Sequence, residues 1–156
     1  MGARLAEQVA LLRRLWTETS VTVAGEHEHV TGAGIAPLPV QRPIPVWIGA
    51  RADVALRRAG RIADGWFPMD QPGPALARST AIVQRAAVEV GRDPRTLGME
   101  GRINFGSGSS SSIDQQIAAW REAGATHLSI NTMRAGFSTV DQHIAALASA
   151  SQAALG

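Results

Sequence analysis

The chain has 156 residues, of which 45% are hydrophobic and 18% charged, with a formal net charge of +2. That composition suits one folded domain with a sizeable core and excludes a disordered polymer. There is no cysteine and no lysine, which excludes disulfides, thiolate metal sites, cysteine nucleophiles, Schiff-base chemistry and a lysine-bearing phosphate loop.

The 15 basic residues are all arginine, which explains a sequence pI near 10.9 beside so small a net charge. They are interspersed with acids, and no basic stripe alternates with aromatics, so nucleic acid is not an expected partner. No apolar run reaches the roughly 18–20 residues that span a bilayer. No signal peptide is visible at Met1. The expectation is a cytoplasmic protein without a membrane partner.

In chain order, Leu5, Val9, Leu12 and Trp16 recur at helical spacing and predict an amphipathic helix over 3–16. Val21-Thr22-Val23 reads as a short extended piece, with a turn at Ala24-Gly25. Residues 25–45, rich in Gly and Pro, read as a long irregular connection. Pro45 to Ile48 is a continuous apolar run suited to a buried parallel strand. A helix follows over 53–63, with Val54, Ala55, Ala59 and Ile62 as its inner face. Residues 65–69 form a second strand. Pro72-Gly73-Pro74 opens another helix, lined by Leu76, Ile82, Val83, Ala86 and Val90 and stopped near Gly91.

Asp93-Pro94 marks a turn before a third strand over 99–105. A Gly/Ser loop covers 106–112. Ser112 and Gln115 form a capping box, and Ile113, Ile117 and Trp120 line the helix that it opens. Residues 127–131 alternate as a fourth strand. Thr139 and Gln142 make a second capping box before a helix lined by Val140, Ile144 and Leu147. About four successive βα units predict an α/β fold with a parallel sheet and outer helices. A complete (β/α)8 barrel needs about 200–250 residues, so this is the content of half a TIM barrel. We expect one domain over 1–156: a leading helix and irregular connection over 1–44, then βα units over 45–156.

Two segments carry a resemblance. One is Pro43-Ile44-Pro45-Val46-Trp47-Ile48-Gly49-Ala50, with Ala63-Asp64-Gly65-Trp66 behind it. The other is Trp120 through Gly124-Ala125-Thr126-His127-Leu128-Ser129-Ile130-Asn131-Thr132-Met133. In order and spacing they resemble the C-terminal half of the luciferase-like flavin- or F420-dependent oxidoreductases. The resemblance implies F420 or FMN as cofactor, a small-molecule substrate, and hydride transfer or monooxygenation. The family's first four barrel units have no counterpart here. The chain is therefore expected either to need a partner, as a homodimer or with a complementary N-terminal half-barrel, or to be a non-catalytic half-barrel. No catalytic residue is assigned.

Barrel active sites lie where strands end and the following helices begin. Gly49, Ala50 and Arg51 therefore form the first candidate cofactor site. A glycine admits a ligand to the backbone, a helix N-terminus offers free N–H groups to phosphate, and arginine adds a forked donor. The family usually has a second glycine at Ala50. The bland alternative is a turn glycine and a solvated arginine. Met69 and Asp70 follow the second strand, and the resemblance sets them beside the cofactor. The alternative for Asp70, and the one its position favours, is a helix-capping aspartate, and Trp66 and Phe67 read as core. Gly106-Ser107-Gly108-Ser109 is a possible anion nest or a surface loop. Asn104, Asn131 and Thr132 fall near strand ends. His27-Glu28-His29 lacks metal-ligand spacing, so no metal is expected. His127 and His143 have no evident triad partner.

Overall fold

A computed structural model describes residues 2–106 and 112–155. Helix α1 (Gly2–Thr17) leads into strands β1 (Val21–Ala24) and β2 (His29–Ala33). Then follow β3 (Trp47–Ala50), α2 (Asp53–Ile62), β4 (Gly65–Pro68), α3 (Pro74–Val88), β5 (Gly98–Asn104), α4 (Ile113–Glu122), β6 (His127–Asn131) and α5 (Val140–Leu155). The four strands β3-β4-β5-β6 lie in that order in one sheet, and all three of their pairings are parallel. This is the α/β layout that the βα alternation predicts, with the sheet open at β3 and β6 rather than closed into a ring.

The connection over 25–45 is less irregular than its composition suggests. β2 folds back antiparallel on β1 with Val23 opposite Val30. The turn between them is clamped to α1. Glu7 accepts from the amides of His27 and Glu28, and Glu28 accepts from Arg4 and Gln8. The stretch His27-Glu28-His29 thus serves a hairpin turn.

One face of the sheet is covered by helices, and the other is the barrel interior. Met99, Gly101 and Ile103 face the helices, where Trp120 and Ile117 of α4 are buried. Gly101 has to be glycine there, because a Cβ would lie 2.5 Å from the Trp120 ring. Ile48 and Trp66 share that layer with Leu56, Leu76 and Val83. Burying each such side chain contributes about 1.5–3 kcal/mol. Ile103 is fully buried under the helices, and Ile130 is its register partner, so neither points into the barrel.

Several helix faces differ from the periodic reading: in α1 only Val9 is buried while Leu5 and Leu12 are exposed, and Val90 is exposed beyond the end of α3. Leu56, Ala59 and Gly60 are the buried face of α2, and Val54 is exposed. A Cβ on Gly60 would lie 2.1 Å from the Val83 carbonyl, so α2 sits almost backbone to backbone on α3. In α5 the buried positions are Ala146 and Ala150, whereas Val140, Ile144 and Leu147 are exposed. Asp64 ties the fold's first helix to the sheet: it accepts from Arg13 at 2.7 Å and from the Val46 amide at 2.8 Å.

Candidate active site

The C-terminal ends of the strands carry the candidate residues. Strand β3 runs through Gly49 and Ala50 before it ends, so these two are strand residues rather than a turn. Ala50 is buried on the helix side, and Gly49 is exposed on the inner side. A Cβ at Gly49 would meet nothing within 4 Å, which leaves open space beside the backbone there. Arg51 is exposed and engages no partner among the described residues.

The helix N-termini at this end fall into two kinds. Those of α2 and α3 have no side-chain cap, and their N-cap residues are Ala52 and Gly73. Those of α4 and α5 cap themselves. Ser112 and Gln115 complete a capping box. Thr139 and Gln142 exchange the equivalent bonds, the Thr139 amide donating to Gln142 and the Gln142 amide to Thr139. First-turn amides without a protein acceptor favour an anion. The missing cap at α2 leaves the Asp53 and Val54 amides, since the Ala55 amide already donates to the Ala52 carbonyl at 2.8 Å; at α4 and α5 a cap side chain takes the corresponding amide of Gln115 and Gln142.

Asp53 lies in the first turn of α2, where its charge would oppose an anion. Arg78 of α3 grips it through two bonds of 3.0 and 2.9 Å. Those bonds hold the Asp53 carboxyl below its ordinary range and the Arg78 guanidinium above its own. Asp70 does not cap α3. It accepts from the Ser79 hydroxyl at 3.0 Å, in the second turn of that helix. Met69 is exposed beside it. The structure therefore brings Gly49, Arg51, Met69 and Asp70 to one end of adjacent strands, with Ala50 turned to the core.

At β5 and β6 a polar and aromatic cluster covers the strand ends. Asn131 donates to Asn104 at 2.9 Å and accepts from the Met133 amide at 3.0 Å. His143 Nδ1 lies 2.8 Å from Thr132 Oγ1, a partner that chain order conceals. Phe137 packs edge-on to His143 and tilted against Phe105. Arg134 adopts φ 63°, a left-handed conformation that costs a non-glycine residue about 1–2 kcal/mol. Residues 107–111, and with them most of the Gly106–Ser109 segment, lie outside the described residues.

Deeper in the interior, Trp47 lies across Gly65 and Gly98. Its ring centroid is 5.5 Å from Phe67 and 4.8 Å from His127. A separate groove of about 660 Å3 runs between α3 and α4, lined by Leu76, Thr80, Gln84 and Glu122 among others. It belongs to the helix layer and reaches Pro72 and Gly73 at the N-terminus of α3. Among the described residues no cluster of three His, Asp or Glu can hold a metal, and no helix is long and apolar enough to cross a membrane.

Comparison with known proteins agrees with this architecture. The sequence signature described as luciferase-like monooxygenase matches residues 2–154. The chain belongs to that family. A curated relative, the F420-dependent glucose-6-phosphate dehydrogenase of Segniliparus rotundus, is 41% identical over 93 residues, covering 58% of this chain and 28% of that protein. Among solved structures, an F420-dependent secondary alcohol dehydrogenase in complex with an F420–acetone adduct superposes with a TM-score of 0.69 at 14% identity. The match covers 83% of this chain and 56% of that one. Long-chain alkane monooxygenase LadA superposes at 0.58 and 13% identity, over 75% and 32% of the two chains. At those identities the superpositions establish the fold. The curated match spans little more than a quarter of its relative's length.

Proposed function

We propose that this chain is the cofactor-phosphate half of a luciferase-like oxidoreductase, with F420 as the cofactor and FMN as the alternative. The observation that carries the reading is the pair of helix N-termini at α2 and α3 without a side-chain cap, beside the open Gly49 and an Arg51 that has no partner among the described residues. A phosphate there accepts from the Asp53 and Val54 amides of α2 and from the Arg51 fork. Arg78 neutralises Asp53, so the acid does not repel it. Met69 and Asp70 border the same strand ends and complete the candidate set. The names of the F420-dependent relatives favour F420 over FMN.

When bound, the cofactor supplies the redox chemistry, as a hydride donor or acceptor or through oxygen activation. The chain's own residues anchor the phosphate, orient the ring over the strand ends and keep water from its helix-side neighbours. The substrate is a small molecule. Titration of the purified chain with F420 and with FMN tests this. Arg51→Ala should weaken binding about tenfold, the loss of one charge-assisted contact. An unchanged dissociation constant would move the phosphate elsewhere.

A second reading concerns assembly. The sheet presents unpaired edges at β3 and β6, and α5 exposes Val140, Ile144 and Leu147. Open edges and apolar helix faces favour association. In this reading the working unit is a homodimer or a complex with a complementary half-barrel, and the chain alone turns over little.

A further inference from the structure

The interior face of β5 and β6 carries no branched apolar filling, although barrel interiors are usually packed with it. Met99, Gly101 and Ile103 are buried on the helix side, so Glu100, Arg102 and Asn104 lie on the other. The register sets His127 beside Glu100, Ser129 beside Arg102 and Asn131 beside Asn104. Successive members of such a column stand about 6.7 Å apart along the strand, and neighbours across the pair about 4.8 Å. The edge contact of Trp47 with His127 marks this as the interior face.

The hydrogen bonds decide which atoms face out. The Met133 amide can only donate, so the Asn131 atom that it meets is the carbonyl oxygen. The Asn131 amide nitrogen therefore points to Asn104 and donates to it, and the receiving Asn104 atom must be its oxygen. That leaves the Asn104 NH2 group without an acceptor among the described residues. Its backbone is held in place: the Asn104 amide donates to Gln116, and the Phe105 amide donates to the Asn131 carbonyl. Arg102, one step deeper on the same face, is exposed with no ion pair or hydrogen bond to its side chain among the described residues. Its main chain is fixed where the Trp120 indole donates to its carbonyl. The only acid on this face, Glu100, lies one step further from the mouth beside His127.

We infer that Arg102, Asn104 and Ser129 form a ligand subsite for negatively polarised oxygens on a planar edge, either a carboxylate or the carbonyl edge of a heteroaromatic ring. A guanidinium fork and an amide NH2 in one column present parallel donors, with the Ser129 hydroxyl beside the fork. The subsite lies at the strand ends where barrels bind ligands. It rests on the sheet's register and the fixed amides, and not on the phosphate site at Arg51.

The test uses the full chain and two probes without phosphate: riboflavin for the ring edge and benzoate for the carboxylate. Proton–nitrogen NMR follows the side-chain amides of Asn104 and Asn131 during each titration. At least one probe should shift the Asn104 NH2 signals saturably. Arg102→Ala should raise its apparent Kd tenfold or more, whereas Arg51→Ala should leave it unchanged. Asn104→Asp, which keeps the acceptor for Asn131 and removes the donors, should weaken it as well. A riboflavin response identifies the ring as the source and a benzoate response the substrate. Absence of any shift with either probe overturns the subsite, as does an unchanged Kd in both variants. If FMN and F420 fail to bind while these shifts persist, the phosphate reading falls and the subsite stands. If FMN binding depends on Arg51 while neither riboflavin nor benzoate binding depends on Arg102 or Asn104, the reverse holds.

Discussion

The side chain that organises the interior floor is Trp47, and it fits because two neighbouring strands offer glycine beneath it. A Cβ at Gly65 would lie 2.5 Å from the indole, and one at Gly98 would lie 2.4 Å from it. Gly98→Ala should therefore destabilise the chain by about 1–3 kcal/mol through overpacking. Most of that loss should vanish in a Trp47→Leu background, as a double-mutant cycle in urea would read. Equal losses in both backgrounds would mean that Trp47 does not set the constraint. The sequence marks Trp47 as strand but not as interior, because a continuous apolar run has no alternation to assign its faces. In contrast, the interior position of Arg102 was readable. Residues 99–104 alternate small or apolar with polar, and the polar set is the inner one. The Thr132 partner of His143 is eleven residues away and leaves no local pattern.

Element by element, strand and helix positions followed from punctuation by Gly and Pro and from the two capping boxes, both of which form. Helix faces were harder. Alanine-rich helices give little contrast, so Val54 and Val140 were drawn inward on hydrophobicity alone. The actual inner faces are the small residues Ala59, Gly60, Ala146 and Ala150, which let backbones approach. The β2 strand leaves no clear pattern in the sequence, because Gly32 lies within it and few of its residues are apolar. The α2–α3 pair carries a charge prediction. Arg78 lowers the Asp53 pKa, so the carboxylate contributes stability above its unfolded value near 4 and loses it as pH falls through the lower folded value. The urea midpoint of the parent should exceed that of Asp53→Asn at pH 7, and the two should converge well below pH 4. A constant gap across that range would assign the effect to something other than the Asp53 charge.

For the whole molecule, four βα units form the half-barrel arc that the alternation predicts, and the family signature extends over nearly all of it. What closes the arc is a matter of surfaces: two unpaired edges, a polar inner face and the apolar stripe on α5. Light scattering at micromolar concentration should report a dimer, and a cooperatively folding monomer would contradict the assembly reading. With the isolated chain, coupled oxidation of reduced F420 should stay marginal, since an open sheet leaves one side of the ring to solvent. The cofactor claim is the centre of the account, and an F420 titration followed by fluorescence tests it most directly. The account predicts saturable binding that Arg51→Ala weakens about tenfold. No saturable binding of F420 or of FMN to the folded chain would contradict it.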